Sequence, residues 1–173
     1  MTVYTNAKTS GIGLAGSGVD FIADFSLSAG VASATEQIIK QYTLPPGLLG
    51  LAAWFKLNVL WAKTGTTDTS TVRMRLGTTG TVADTSVWTA SLAAANRTGP
   101  TSSAFFASSS TQLRLLTAAF ATGFEAGAFS ANPYPNNITV SDMLSNSLIM
   151  SLTQTPSGAT DTPQIAHVIL TTY

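Results

Sequence analysis

The stretch at residues 51–76, LAAWFKLNVLWAKTGTTDTSTVRMRL, carries the pattern that decides the fold. Its apolar positions are Phe55, Leu57, Val59 and Trp61 in the first half and Val72, Met74 and Leu76 in the second. Lys56 and Asn58 alternate with the first set, and Arg73 and Arg75 alternate with the second. A period of two is typical of half-buried antiparallel strands, because successive side chains point to opposite faces of a sheet. With a turn rich in Gly, Thr and Asp between them, the two halves predict a hairpin of long strands at the core of an all-β domain.

The rest of the chain repeats this pattern of short strands. We predict strands at residues 21–29, 33–44 and 81–91, a hairpin of 102–109 with 112–118, a pair of 137–144 with 147–155, and a closing strand at 164–173. Residues 119–136, rich in Gly, Pro and Asn, predict a long loop. About nine or ten strands at regular spacing, with almost no helix, are typical of an antiparallel β-sandwich or jelly roll.

Alternation also assigns faces to three of these strands. Residues 21–29 place Phe21, Ala23, Phe25 and Leu27 on one face, residues 33–44 group Ile38, Tyr42 and Leu44 with Glu36 and Lys40, and residues 164–173 group Ile165, His167 and Ile169. A short helix is the alternative for the second of these segments, since Ser33 and Glu36 form a capping box. The β-branched residues and the stop at Pro45-Pro46-Gly47 favour a strand.

Residues 1–19 are predicted to form an extended, Gly-rich N-terminal arm that precedes a single β-sandwich domain over residues 20–173. Residues 11–16, GIGLAG, are a formal match to the dinucleotide-binding fingerprint. That fingerprint needs a buried strand before it and a helix opening inside it. Here TNAKTS precedes the glycines and a strand-like segment follows them. We therefore favour an arm that docks onto a neighbouring subunit over a dinucleotide site.

The chain has few charged residues and no net charge. Eight basic and eight acidic residues make up 9% of the 173 residues, whereas soluble domains usually have about 25%. A surface this poor in charge must be covered by small polar residues, and a neutral chain tends to associate with itself. We therefore expect a homo-oligomer. The absence of Cys excludes disulfides and thiolate metal sites.

The composition also argues against two classes of partner. A neutral chain without a basic stripe is a poor ligand for nucleic acid. The longest apolar run, residues 44–55, is interrupted by Pro and Gly and is shorter than the roughly 20 residues of a membrane-spanning helix. The N-terminal segment lacks the apolar core of a secretory signal. We expect neither nucleic-acid binding nor membrane insertion.

No stretch of the chain carries a recognisable catalytic motif. His167 is the only histidine, which excludes a two-His metal site, and no GxSxG elbow is present. Asp20 and Asp24 lie four apart on a predicted strand and hence on one face, where they are either a pair for glycosidic chemistry or two solvated edge charges. We favour solvated charges. Asp68, Asp84, Asp142 and Asp161 are predicted to stand singly in turns and to make local hydrogen bonds. We predict no catalytic, cofactor-binding or metal-binding residue, and no enzyme.

Two groups of side chains are candidates for binding. Arg73, Arg75 and Arg114 converge if their strands are neighbours, and they would then bind an anion or pair with acids at a subunit contact. Trp54, Trp61 and Trp88 are candidates for a sugar-stacking platform. Trp61 lies on the predicted apolar face and is assigned to the core. Trp54 lies on the opposite face and stays a candidate for sugar stacking.

Two segments resemble the jelly-roll domains of tailed-bacteriophage virion proteins, namely capsid decoration (cement) proteins, head fibres and distal tail-fibre domains. In those domains a strand ends in a Thr-Ile-Pro-like turn with following leucines, and a later strand has alternating Arg and ends in Leu-Gly. The counterparts here are YTLPPGLL at residues 42–49 and STVRMRLGT at residues 70–78. This chain has Thr78 where the pattern usually has a second Gly. The closing segment at residues 161–173 matches more loosely.

This resemblance implies a jelly roll, a homotrimer and a location on the virion. The main expectation is a capsid decoration protein that binds and stabilises the assembled particle, with the arm contacting the major capsid protein or another virion subunit. The alternative is a receptor-binding domain of a tail or head fibre that recognises a host-surface glycan through Trp54 or Tyr134. A glycan depolymerase is a third, less favoured hypothesis. No cofactor is implied.

Overall fold

A computed structural model describes residues 18–50, 54–120 and 137–173 of the chain. In these ranges the regular structure consists of eleven strands. They are β1 (Val19–Asp24), β2 (Ser28–Ala29), β3 (Gln37–Leu44), β4 (Trp54–Lys63), β5 (Ser70–Gly77), β6 (Thr85–Leu92), β7 (Thr98–Ser109), β8 (Gln112–Phe120), β9 (Asn137–Thr139), β10 (Leu148–Pro156) and β11 (Pro163–Thr172). The all-β prediction is confirmed. Residues 1–17 of the predicted arm and residues 121–136 of the predicted loop lie outside the described ranges.

The strands form two antiparallel sheets. The large sheet has the order β1-β11-β4-β7-β8-β9, with β2 also paired to β11. The small sheet has the order β3-β10-β5-β6. The chain passes from one sheet to the other between β2 and β3, β3 and β4, β4 and β5, β6 and β7, β9 and β10, and β10 and β11. Most consecutive strands therefore lie in opposite sheets.

The apolar faces of both sheets meet in one core, as in a β-sandwich. Phe55 stacks on Phe105 inside the large sheet, with ring centroids 5.1 Å apart. Trp61 of the large sheet meets Trp88 of the small sheet edge to face at 5.9 Å. The indole nitrogen of Trp61 donates to Oγ1 of Thr101 at 3.0 Å. This satisfies the indole N–H, which would otherwise be costly to bury, so Trp61 belongs to the core as predicted.

The predicted central hairpin is wrong, although both of its strands exist. β4 pairs with β11 and β7 in the large sheet, whereas β5 pairs with β10 and β6 in the small one. The two strands therefore face each other across the core and share no ladder. Alternation reports only that one face of each strand is buried, and it does not say which strand lies alongside. The same error affects residues 137–144 and 147–155, since β9 pairs with β8 and β10 lies between β3 and β5.

Other predictions of pairing and type are confirmed. β7 and β8 form the predicted hairpin. The segment at residues 33–44 contains a strand rather than a helix, and Lys40, Tyr42 and Leu44 lie on its buried face as predicted. The predicted face is wrong at the start of the segment, because a register shift against β10 between Lys40 and Ile38 packs Ile39 instead of Ile38 against the core, and Glu36 pairs with Arg75 outside it. Lys40 and Tyr42 reach the carboxylate of Asp24 on β1, at 3.1 Å and 2.7 Å. This network joins the edge strands of the two sheets.

Two strands bury a different face from the one that alternation predicts. The segment at residues 21–29 leaves regular pairing after Asp24, and Ile22 rather than Phe25 or Leu27 faces the core. β11 has a register shift between Ile165 and His167 against β4, so Ile165 is buried while His167 leaves the core face. Both segments carry apolar residues at odd and even positions, so only the neighbouring strand selects the buried face.

The end of the sandwich near Lys63 is closed by a buried polar clamp of Lys63, Asp68 and Asp161. Lys63 Nζ donates to Asp161 Oδ2 at 2.9 Å and to the carbonyls of Gly65 and Ala94. Asp161 also accepts the backbone N–H of Asp68, and Asp68 accepts the backbone N–H of Asp161. Burial acts to raise the pKa of Asp161, but the hydrogen bond from Lys63 and the backbone donors hold it below its usual value.

The turn carboxylates thus divide into two kinds. Asp84 accepts N–H groups of Gly80 and Thr81, and Asp142 accepts the N–H of Leu144, so these two make the local bonds that the sequence predicts. Asp68 and Asp161 do not, because each holds the other's loop across more than ninety positions of chain. The clamp fixes the β4–β5 connection to the β10–β11 connection.

Candidate binding surfaces

The outer face of the small sheet carries charges that are already paired. Arg75 donates to both carboxylate oxygens of Glu36, at 2.7 Å and 2.9 Å. Arg73 Nη1 lies 3.4 Å from the same carboxylate, and Thr153 donates to it. Partial burial acts to raise the pKa of Glu36, but these hydrogen bonds and the two guanidinium charges hold it below its usual value. Arg73 and Arg75 therefore converge as predicted, on an acid of the same chain.

Arg114 does not join this cluster, because β8 belongs to the large sheet. Its Nε donates to Oδ1 of Asn137 at 2.6 Å, and its guanidinium lies over the ring of Phe106, 5.9 Å from the centroid. The predicted convergence of three arginines is therefore wrong for Arg114. Each of the three arginines alternates with apolar residues on its strand. The sequence therefore does not show that β5 and β8 belong to different sheets.

We call the outer, solvent-facing side of the large sheet the broad face. A row of aromatic side chains crosses it. Trp54 on β4 is directly opposite Phe106 on β7, and Phe106 is opposite Arg114 on β8. The backbone N–H of Tyr173 donates to the carbonyl of Trp54 at 2.9 Å, which extends the row by one strand. Trp54 is 52% exposed and Tyr173 is 57% exposed. We call Tyr173, Trp54 and Phe106, with Arg114 at the end, the aromatic row.

The next row along the broad face contains isolated charges. Asp20, Thr171 and Lys56 are consecutive cross-strand neighbours on β1, β11 and β4. Asp20 Oδ1 accepts a hydrogen bond from Thr171 Oγ1 at 2.7 Å. Among the residues that the structure describes, no ion pair joins Asp20, Lys56 or Arg114 to an opposite charge. Ala104 completes this row opposite Lys56. The row beyond it contains Ile169, Asn58 and Ser102, and the row after that contains His167, Leu60 and Pro100.

A second apolar surface lies in the connection between β1 and β3, where Phe25, Leu27 and Val31 are exposed. Gln37 holds this connection by accepting the N–H of Val31 and donating to its carbonyl, both at 2.7 Å. The ring of Phe25 lies 6.1 Å from that of His167. His167 is thus a neighbour of this surface rather than a residue of the core.

Asp20 and Asp24 do not act on one common partner. Asp20 bonds Thr171, as described above, whereas Asp24 accepts hydrogen bonds from Tyr42 and from Ser26 and pairs with Lys40. Burial acts to raise the pKa of Asp24, but these hydrogen bonds hold it far below its usual value. Burial and the neighbouring carboxylate raise the pKa of Tyr42. Asp24 is therefore part of a structural network, in contrast to the solvated edge charge that the sequence predicts.

The lowered carboxyl pKa values predict a loss of stability in acid. A carboxyl group whose pKa is lower in the folded than in the unfolded chain stabilises the fold above its unfolded pKa of about 4, and this contribution disappears as the pH falls toward the folded pKa. Asp24, Glu36 and Asp161 are such groups. We expect the urea midpoint to be nearly constant from about pH 7 to 5 and to fall steeply below about pH 4. Asp24→Asn should lower the midpoint at neutral pH and flatten the acid slope. A midpoint unchanged down to about pH 2.5 would contradict this.

Within the described ranges, no three His, Cys, Asp or Glu side chains are grouped so as to hold a metal ion. The same part of the chain contains no helix long and apolar enough to cross a membrane.

No protein-family model matches this chain, and no curated protein is significantly similar to it. Function is therefore argued from the geometry of the chain and from the two segments that resemble virion proteins.

The sequence singles out only one member of the aromatic row. Alternation on β4 makes Trp54 a candidate for binding. Phe106 and Tyr173, its neighbours in the row, are not among the candidates that the sequence predicts. A signal for Phe106 exists, because adjacent aromatic residues on a strand point to opposite faces, so one of Phe105 and Phe106 must face outward. Tyr134, the other predicted aromatic candidate, lies outside the described residues.

Proposed function

We propose that this chain is a non-enzymatic structural protein of a bacteriophage virion, namely a trimeric capsid decoration protein with a jelly-roll fold. The observation that carries the proposal is the strand order. Without β2, β8 and β9, the sheets read β1-β11-β4-β7 and β3-β10-β5-β6. Two four-stranded sheets in which the first and last strands are neighbours, and most connections cross between sheets, are what a jelly roll of two Greek keys requires.

The placement of the two motif segments agrees with this proposal. YTLPPGLL covers the end of β3 and the turn after it, where Tyr42, Leu44 and Leu49 are buried. STVRMRLG is β5 itself, with its arginines on the outer face of the small sheet. In the virion proteins that the sequence resembles, the same segments are a strand end with its turn and a later strand.

A decoration protein stabilises a capsid by mass action, since it binds the assembled shell and not the free subunits. Its partner in this proposal is the major capsid protein, and the predicted arm at residues 1–19 is the candidate anchor. Apolar side chains or an added strand would supply the contact. The low charge of the chain suits a subunit that buries much of its surface in an assembly.

The alternative proposal is a receptor-binding domain of a tail or head fibre that recognises host-surface glycan. The aromatic row favours it, because exposed Trp and Tyr rings present flat apolar faces against which sugar rings stack. Its neighbours Lys56 and Arg114 would supply hydrogen-bond donors to sugar hydroxyls.

The number of copies on a particle separates the two proposals. We expect this chain in density-purified virions of the phage that encodes it, in numbers comparable to those of the major capsid protein, as measured by quantitative mass spectrometry. A decoration protein occupies repeated sites on the shell, whereas a fibre occupies only a few vertices or the tail. A few copies per particle would favour the fibre. Absence from the purified virions would contradict both.

A further inference from the structure

We infer that the broad face is the surface through which copies of this chain associate with each other. The inference deepens the proposed function and rests on its oligomeric subunit. It assigns the subunit contact to the aromatic row and to the low-charge rows beside it. The occupant of the face is a second copy of the chain.

The residue types of the aromatic row are those that dominate protein interfaces. Trp, Tyr and Arg are the residues most enriched among interface hot spots. Here one of each lies in a single row with Phe106, and Trp54 and Tyr173 are more than half exposed. The cation–π contact between Arg114 and Phe106 fixes one end of the row. Because this contact already restrains Arg114 and Phe106, the two side chains lose little rotamer entropy when a second copy covers them.

The size of the broad face suits a stable contact. Five strands, β1, β11, β4, β7 and β8, lie side by side, and at about 4.8 Å per strand they span about 24 Å. About eight residues of β4, at about 3.4 Å each, give a length of about 27 Å. The plan area is therefore about 650 Å², and side-chain relief increases the accessible surface above this value. Specific interfaces bury about 800 Å² on each partner.

The charges of the two outer faces differ in a way that favours self-association. On the small sheet, Glu36 satisfies Arg73 and Arg75 within the chain. On the broad face, Asp20 on one side and Lys56 with Arg114 on the other have no opposite partner among the described residues. Asp20 lies on β1 at one side of the face and Arg114 on β8 at the other, so the acidic side of one copy is complementary to the basic side of the next. A contact of this head-to-tail kind closes into a ring such as the proposed trimer.

The remaining side chains of the face allow close approach. Ala104, Asn58 and Ser102 are small and uncharged, and Ile169 adds apolar area. Covering these residues removes no charge from water, so their burial does not incur the cost of desolvating an ion. The face thus combines large aromatic side chains at one end with small, uncharged residues farther along β4 and β7.

The test is the solution mass of the intact protein and of single-residue variants at equal concentration, measured by sedimentation velocity. Wild type is expected at three times the chain mass. Trp54→Glu places a charge in the aromatic row and is expected to give monomer, and Lys56→Glu is expected to weaken association about tenfold or more. The matched control is Thr43→Glu, on an exposed position of β3 in the small sheet, which should keep the wild-type mass. Circular dichroism and thermal unfolding check that each variant is folded.

Each other outcome overturns the inference in a distinguishable way. An oligomer that persists in both broad-face variants places the contact elsewhere and leaves the virion role to the copy-number measurement. Wild type that is monomeric at the highest attainable concentration removes both the contact and the proposed trimer. If that monomer binds an immobilised glycan array and Trp54→Ala abolishes binding, the aromatic row is a sugar site instead.

Discussion

Replacing Asp161 by alanine is expected to lower the free energy of unfolding by about 3–5 kcal/mol, because the change leaves a buried cation without its counter-charge. The Lys63 side chain is fully buried and Asp161 is its ion-pair partner at 2.9 Å. Alanine also removes the acceptor of the Thr67 and Asp68 N–H groups, at 3.1 Å and 3.0 Å. Lys63 and Asp68 are buried, so water replaces their lost bonds poorly.

Urea unfolding at pH 7 and fixed protein concentration measures this effect. Asp161→Asn is expected to lie between wild type and alanine, since the amide oxygen still accepts the backbone N–H groups but carries no charge. Asp142→Ala is the control, because that carboxylate has no ion-pair partner among the described residues and accepts mainly from Leu144 and Ser145 in its own turn, and little change is expected. A loss below about 1 kcal/mol for Asp161→Ala would show that the clamp contributes no more than a surface ion pair.

Replacing Trp61 by alanine is expected to cost about 3–5 kcal/mol, the usual range for a large aromatic side chain removed from a core. Trp61 is the largest of the fully buried side chains and contacts Trp88 across the sandwich. Its removal would open a cavity between the two sheets and leave Thr101 without its indole donor. Because both sheets line the site, neither can collapse into it without losing contacts elsewhere.

The matched control is Trp54→Ala, on the same strand and with the same loss of atoms. Trp54 is half exposed on the broad face, so its removal is expected to change the unfolding free energy by no more than about 0.5 kcal/mol. The measurement is the urea midpoint of each variant at a concentration low enough for wild type to be monomeric, since association through the broad face adds to apparent stability. Equal losses at the two positions would contradict the assignment of Trp61 to the core and Trp54 to the surface.

The sequence predicts strands well where one face is apolar throughout, and predicts their partners poorly. β4 shows this, because Leu57, Val59 and Trp61 are buried on the face that alternation selects. The β7–β8 hairpin was also predictable, because its strands are joined by a short turn that fixes the register. β4 and β5 are joined by a longer connection whose partner is the β10–β11 loop. No local sequence pattern predicts the hydrogen bonds between these two loops.

The candidate site was predictable to a smaller extent. The position of Trp54 on the outer face follows from alternation on a single strand, whereas the aromatic row needs the register of three neighbouring strands. Likewise, Asp68 and Asp161 have the composition of ordinary turn residues, and only the tertiary fold brings their loops together. Bulges in β1 and β11 add shifts that a period of two cannot anticipate.

The position of β11 has a consequence for biosynthesis. β11 lies between β1 and β4 and pairs with both, although more than ninety residues separate it from either. During translation, β1 and β4 thus emerge early and remain with unpaired edges until residues 163–172 leave the ribosome. Completion of the large sheet therefore waits for β11 and is dominated by long-range pairing, which is slow and leaves apolar strands open to aggregation meanwhile. Growth at low temperature or with chaperones during expression should raise the soluble yield.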